Sequence, residues 1–179
     1  MLETIQKAQN GNQASFAQIY DAFAEALFRY IRIKVQNKQQ AEDLLQETFI
    51  KAWRGLPKLQ ADENLKFKAW LYTIATNVVN DHCRKLYSRP ESLELNENLE
   101  VSSGRSPAQE TLIASDVDTL KQALQQLPKQ YQEILELRFV SDLTLEECGK
   151  ILKKRAVNIR VLQYRALQHL KKVLNKNAF

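Results

Sequence analysis

The sequence predicts an all-α protein made of two small helical modules joined by a flexible acidic linker. Apolar residues recur at three- and four-residue steps through most of the chain, which is the period of a helix that buries one face. No segment of the 179 residues has the sustained alternation typical of a strand. Residues 89–114 are instead rich in serine, proline and glutamate, so they divide the chain into modules of residues 1–88 and 115–179.

The first module contains three long helical patterns. One follows an apolar stripe from Phe16 to Ile31 that includes Ile19, Tyr20 and Phe23. The next runs from about Ala41 to Trp53 and is stopped by Gly55 and Pro57. The third covers residues 65–86, and its polar face ends in positive charge.

Four shorter patterns follow, at about residues 115–127, 129–140, 145–152 and 156–174. Pro128 opens the second of these, and Thr144 with Glu147 has the spacing of a capping box that starts the third. A short helix, a turn and a longer helix are the lengths of a helix-turn-helix, although hairpins used only for packing share them.

The last helical pattern has an apolar side and a polar side. Its inward side is predicted to consist of Ile159, Leu162, Ala166 and Leu170. Its outward side and edges are predicted to carry Asn158, Arg160, Val161, Tyr164 and Arg165. Lys153, Lys154 and Arg155 come first, where the helix macrodipole disfavours each cation by roughly 0.3–1 kcal/mol. Nearby phosphates would offset that cost.

Composition and charge exclude some classes of function and favour others. No run approaches the roughly 20 apolar residues that cross a bilayer, so no membrane insertion is expected. The polar N-terminus carries no secretory signal, which makes a cytoplasmic protein the expectation. Nine basic residues from Lys150 to Lys176 have no acidic residue among them. A solvated helix face usually mixes signs, so this segment fits a polyanion.

Cysteines and histidines give no sign of a metal site or of catalysis. Cys83 and Cys148 lie far apart without ligand spacing, so buried reduced thiols are expected. His82 and His169 are similarly isolated, which favours surface or core roles. No nucleophile–base pair, phosphate loop or metal cluster has a recognisable spacing. We therefore expect no catalytic residues, no cofactor and no enzyme activity.

Several blocks of sequence resemble a single family. Residues 41–53, AEDLLQETFIKAW, and residues 67–85, FKAWLYTIATNVVNDHCRK, resemble region two of sigma factors, the promoter-recognising subunits of bacterial RNA polymerase. Residues 127–154, LPKQYQEILELRFVSDLTLEECGKILKK, with VLQYRALQHLKKVL from Val161, resemble region four. Because little but an acidic linker lies between them, the chain resembles the extracytoplasmic-function (ECF) group.

The resemblance implies a protein that binds core RNA polymerase and directs it to promoters. The expected partners are the largest-subunit clamp helices and the flap region of the polymerase, promoter DNA at its minus-ten and minus-thirty-five elements, and an anti-sigma factor where one exists. The acidic linker would pass through the polymerase. The residues that match the clamp-binding block, and are chosen here for docking, are Asp43, Gln46, Glu47 and Ile50. Leu45, Phe49 and Trp53 are equally compatible with a core.

The same comparison implies two DNA-contacting sets. The set for the melted minus-ten element is Lys66, Lys68, Asn77, Asn80, Asp81, Arg84 and Lys85, and the loop at residues 55–68 could help shape a pocket for an unstacked base. Asp81 has the alternative of pairing with Arg84 or Lys85, and Trp70 is assigned to the core. The set for the minus-thirty-five element is Lys153, Lys154, Arg155, Asn158, Arg160, Val161, Tyr164 and Arg165.

The chain departs from the family pattern at the turn of the helix-turn-helix. The family usually has glycine where Lys153 stands and alanine where Gly149 stands, and the start of its recognition helix differs from residues 155–157. These departures affect which minus-thirty-five sequence is read. A free-standing helix-turn-helix repressor or activator, with the first module used for dimerisation or sensing, is the alternative function.

Overall fold

The computed structural model describes residues 1–35, 37–59, 67–87 and 122–177, and within these ranges the secondary structure is helical, with no strand. The helices of the first region are α1 (Leu2–Gln9), α2 (Gln13–Arg32), α3 (Lys38–Gly55), a 3₁₀ turn (Leu56–Lys58) and α4 (Phe67–Tyr87). The three long helices predicted for this region are confirmed.

The second region is built from shorter helices and one long one. Its elements are α5 (Lys129–Leu135), a π-helical turn (Glu136–Val140), α6 (Leu145–Ile151) and α7 (Ala156–Asn177). Residues 122–125 are also helical and belong to the pattern predicted at 115–127, of which the structure describes only the end. The predicted linker at 89–114 lies outside the described residues.

Side-chain caps explain where several helices begin. The Asn12 side chain accepts a hydrogen bond from the Ser15 amide (2.9 Å) to start α2. Asn37 does the same for the Gln40 amide (2.8 Å) at α3. The capping box predicted before α6 is present in both directions, because Thr144 Oγ1 accepts from the Glu147 amide and the Glu147 carboxylate accepts from the Thr144 amide.

Helix α1 was not predicted, because its apolar stripe is short. Ile5 and Ala8 are fully buried against the bundle. Gln9, at the end of the helix, donates from Nε2 to the Leu59 carbonyl over 2.9 Å. These contacts attach α1 to the segment that follows α3.

Aromatic side chains fill the space between α2, α3 and α4. Phe49 is buried, and Phe16 packs edge-on against Trp53 with ring centroids 4.8 Å apart. Trp70 is half-buried against Phe67, and a Cβ at Gly55 would lie only 3.2 Å from its ring. The core assignments of Leu45, Phe49, Trp53 and Trp70 are therefore consistent with the packing.

The helix predicted at 129–140 changes type halfway along. After Leu135 the backbone widens into a π-helical turn, in which the Ser141 amide donates to the Glu136 carbonyl five residues earlier (3.1 Å). Arg138 stabilises this turn by donating to the Leu143 carbonyl and to Gln163 Oε1 on α7. The helical pattern predicted at 129–140 is confirmed, but its change to a π-helical turn was not predicted, because these tertiary contacts do not appear in the local apolar period.

In the turn between α6 and α7, the glycine stands at position 149 and not at position 153, where the family pattern has it. Lys153 adopts a left-handed backbone conformation (φ 53°), and the Lys153 and Lys154 amides donate to the Lys150 and Gly149 carbonyls, as in a Schellman motif. The Lys154 carbonyl then approaches α6 so closely that a Cβ at Gly149 would lie 2.7 Å from its oxygen. The glycine needed by this turn therefore stands at 149, under the close approach, while lysine occupies the left-handed position.

We expect Gly149→Ala to destabilise the second region by about 1–3 kcal/mol, since the clash with backbone outweighs the better helix propensity of alanine. Lys153→Gly should instead stabilise it by about 1 kcal/mol, because it removes the left-handed strain of a residue with a side chain. Urea unfolding followed by circular dichroism measures both. A Gly149→Ala protein as stable as the parent would contradict this account of the turn.

Candidate nucleic-acid interface

The surface of α7 that points away from the core is basic and polar. Ile159 and Ala166 are fully buried beneath it, while Leu162 and Leu170 are half-buried, as predicted. All eight residues predicted for the minus-thirty-five element are exposed. Five of them lie along the first three turns of α7, and Lys153, Lys154 and Arg155 lie just before its first residue.

One residue of this surface was missed. Val157 is 73% exposed in the first turn of α7, one helical turn before the exposed Val161. Two valines spaced by four residues give the basic surface an apolar strip, suited to the methyl groups of thymine in a major groove. The four-residue spacing between Val157 and Val161 was the sequence signal for this strip. Valine is most often a core residue, however, so Val157 was not predicted to lie on the surface.

A shallow open depression lies at the turn that precedes α7. Its lining combines Lys150, Lys153, Lys154 and Arg155 with a single acid, Glu146. Gly149 and Ala156 complete the lining. This concentration of positive charge beside the N-terminus of a long helix suits a phosphate group.

The polar face of α4 carries the minus-ten set at its C-terminal half. Asn77, Arg84 and Lys85 are exposed, and Asn80 is half-buried. Asp81 forms an ion pair with Arg84 over 3.1 Å, so the alternative expected for this carboxylate is present. Asp81 can therefore orient the Arg84 guanidinium.

The two lysines at the start of α4 do not join this group. Lys68 lies in the first helical turn, and its Nζ donates to the Asp142 carbonyl of the second region over 2.8 Å. Lys66 lies outside the described residues, as does most of the loop predicted to shape a base pocket. The structure therefore brings together five of the seven predicted minus-ten residues.

A third exposed surface lies on α3. Asp43, Gln46, Glu47 and Ile50 all point away from the core, and half of the Ile50 side-chain surface is exposed. Glu47 pairs with Lys51 on the same helix over 2.7 Å. Tyr20 of α2 borders this surface, because its ring packs on Phe49 at 4.6 Å while remaining exposed. The sequence pattern had included Tyr20 in the buried stripe, which was wrong.

The structure also describes the surroundings of the cysteines and of His169. Cys83 and Cys148 are both free, and burial raises the pKa of the Cys148 thiol to about 11, so it stays protonated. His169 is exposed and packs on the Tyr131 ring. Within residues 1–35, 37–59, 67–87 and 122–177, no group of His, Cys, Asp and Glu could hold a metal ion. In that same part of the chain, no helix is long and apolar enough to cross a membrane.

Comparison with known families identifies the family to which each region belongs. The Sigma-70 region 2 family matches residues 19–89. The Sigma-70, region 4 family matches residues 118–170. These two matches, in this order, define the class as a sigma factor of the sigma-70 type.

Two relatives and one solved structure show which group of sigma factors the chain is similar to. The ECF RNA polymerase sigma factor BldN of Streptomyces coelicolor is 35% identical over 179 residues, which cover 99% of this chain and 67% of BldN. The ECF RNA polymerase sigma factor SigW of Bacillus subtilis is 28% identical over 179 residues, covering 95% and 94%. The sigma factor RpoE, solved with the anti-sigma factor NepR from Bartonella quintana, shares the fold: its TM-score is 0.70 at 24% identity, over 89% of this chain and 96% of that one.

The chain belongs to the ECF group of sigma factors. It binds core RNA polymerase and directs promoter-specific initiation of transcription. A free-standing repressor or activator is not favoured, because both regions that match are those of an initiation factor.

Proposed function

We propose that three helices divide the work of initiation: α3 binds polymerase, α4 holds the opened minus-ten element, and α7 reads the minus-thirty-five element. The observation that supports this proposal is that most described residues of each predicted set are exposed on, or next to, a helix whose opposite face is buried. An exposed face on a helix fixed by its own core can bind a partner without unfolding. We take residues 1–88 and 115–179 as the two regions and residues 89–114 as their linker.

Docking to the clamp helices uses the exposed carboxylates and Ile50 of α3, and Tyr20 extends the surface. The apolar groups would supply buried contact area, while Asp43 and Glu47 would contribute complementary charge and fix the orientation. The flap region of the polymerase would meet the second region. The role is binding, without bond chemistry, and it would be carried out in the cytoplasm.

At the minus-ten element, α4 would contact a strand that has already separated. Asn77 and Asn80 carry amides that can satisfy base edges, and Arg84 and Lys85 can hold phosphates. Asp81 would act through Arg84 by orienting its guanidinium. Lys66 and Lys68 remain predictions for contact with this element.

At the minus-thirty-five element, the cations around the turn would hold phosphates while α7 lies in the major groove. Asn158 and Arg160 have the side-chain chemistry to meet base edges. Val157 and Val161 would contact thymine methyls, and Tyr164 and Arg165 extend the surface along the helix. An anti-sigma factor is a further candidate partner, since RpoE was solved with one.

Reversing charge on α3 should weaken polymerase binding. Asp43→Lys with Glu47→Lys leaves the buried face of α3 untouched, so helical content should stay the same while affinity for core polymerase falls at least tenfold. Binding is measured by fluorescence anisotropy, with Glu42→Lys, a neighbouring exposed acid, as the matched control. Unchanged affinity in the double variant would remove α3 from the interface.

Truncating the polar face of α4 should impair strand opening more than recruitment. Asn80→Ala and Arg84→Ala remove contacts that form only after the duplex separates, worth roughly 1–3 kcal/mol per base contact. Permanganate footprinting measures opening, and gel shift of the closed complex measures recruitment. Normal permanganate reactivity in both variants would show that this face does not hold the opened strand.

Substitutions of the residues proposed to contact phosphates and of those proposed to contact bases at α7 should have different effects on DNA binding. Lys154→Ala should weaken binding to all minus-thirty-five sequences alike and lower the salt slope by about one unit, whereas Asn158→Ala should relax preference at one or two positions by roughly 1–3 kcal/mol. Holoenzyme binding to a randomised minus-thirty-five library at several salt concentrations measures both effects. Lys7→Ala, on α1, is the control for loss of one positive charge. The assignment fails if neither preference nor salt slope changes.

A further inference from the structure

The exposed side of α7 is apolar along its middle. At about 100° per residue, Val157 and Val161 lie about 40° apart around the helix axis, and Val157 lies opposite the fully buried Ala166. The ring of Tyr164 falls within the same strip and is 64% exposed. Apolar residues scattered singly over a surface are ordinary, whereas a contiguous strip of them indicates a contact surface.

Positive and hydrogen-bonding groups border this strip on both sides. By the same helical geometry, Arg160 lies to one side of it, and Asn158 and Arg165 lie to the other. No acidic residue occurs between Ala156 and Asn177. An apolar protein partner would leave the bordering arginines without counter-charges, whereas a polyanion supplies them. Charge complementarity therefore favours DNA as the occupant of the strip.

The major groove of DNA offers one apolar feature at the base edges, the C5-methyl group of a pyrimidine. Thymine carries this methyl, whereas cytosine and the purines present hydrogen-bonding groups in the groove. A 5-methylcytosine carries the same methyl at the same place on its ring. A valine side chain packed on such a methyl buries carbon from both molecules, so the strip has a chemically matched target.

The spacing of the two valines sets how many base pairs the strip can contact. They are four residues apart, which is about 6 Å along the helix at about 1.5 Å per residue. Stacked base pairs are about 3.4 Å apart, so the valines face different base pairs, separated by about two steps. This spacing argument rests on the proposed function, in which α7 lies in the major groove.

We propose that Val157 and Val161 are specificity-determining residues that read pyrimidine C5-methyl groups at two positions of the minus-thirty-five element. Thymine supplies the methyl in unmodified DNA. Where a cytosine stands opposite the strip, its methylation supplies the same group, so binding to that element depends on the modification. Asn158 and Arg160, at the borders of the strip, contact the hydrogen-bonding edges of neighbouring bases.

Exchange of thymine for uracil tests this reading, because it removes the methyl group alone. The holoenzyme first selects its preferred minus-thirty-five element from a randomised library, and each thymine of either strand is then replaced in turn. Affinity should fall about threefold to fivefold at one or two positions, the equivalent of about one buried carbon at each. Equal affinity for thymine and uracil at every position would overturn the proposal.

Substitution of the valines assigns each methyl to a side chain. Val157→Ser should bind the thymine and uracil elements equally at one position, and Val161→Ser should do so at the other. Val157→Ile keeps an apolar contact and should retain the discrimination. Leu167→Ser is the matched control, because Leu167 is an exposed aliphatic residue of α7 about 80° around the helix from Val157. Discrimination that survives in both serine variants would overturn the assignment to these valines.

A comparison of cytosine with 5-methylcytosine separates the methyl group from the rest of thymine. At a position where uracil weakens binding, methylation of a substituted cytosine should raise affinity about threefold to fivefold in the parent and not in the corresponding serine variant. A loss on uracil without a gain on 5-methylcytosine would overturn the claim that the methyl itself is read. If α7 did not read this element at all, Asn158→Ala would leave the selected sequence unchanged. A failure of methyl reading alone would leave that effect of Asn158→Ala intact.

Discussion

The ion pair between Lys34 and Glu136 links residues 102 positions apart and fixes how the two regions meet. Around it, α4 packs on α6, and the apolar clusters of the regions become continuous. Apart from Lys68, which donates to the Asp142 carbonyl, the described residues predicted to contact DNA or polymerase are exposed or half-buried while the regions are in contact. The contact between the regions therefore leaves most of these residues accessible to a partner.

The turn before α7 explains how an unusual sequence keeps a helix-turn-helix. The family pattern puts the glycine at the left-handed position, where this chain has Lys153. Here the glycine is Gly149, and its missing Cβ makes room for the Lys154 carbonyl. One consequence is an additional cation beside the start of the recognition helix. The departure from the family pattern thus adds positive charge beside α7 without changing the fold.

Sequence reasoning succeeded where one face of a helix is buried and the other is not. Period and caps predicted α2, α3, α4, α6 and α7, and the same period separated Ile159 and Ala166 from the exposed residues of α7. It missed α1, whose apolar stripe is too short to recognise. It also placed Tyr20 in the core, because an aromatic residue at the edge of an apolar stripe has the same period as one inside it. Periodicity also carries no information on partners, so Lys34 and Glu136 could not be paired.

The central claim is that the exposed faces of α4 and α7 contact different promoter elements. Photocrosslinking of the holoenzyme to promoter DNA measures this directly, with the photoreactive residue benzoylphenylalanine in place of Asn77 on α4 or of Tyr164 on α7. Both positions are exposed. We expect crosslinks from position 77 to the minus-ten element and from position 164 to the minus-thirty-five element. Crosslinks from both positions to the same element, or no crosslink to DNA from either, would contradict the account.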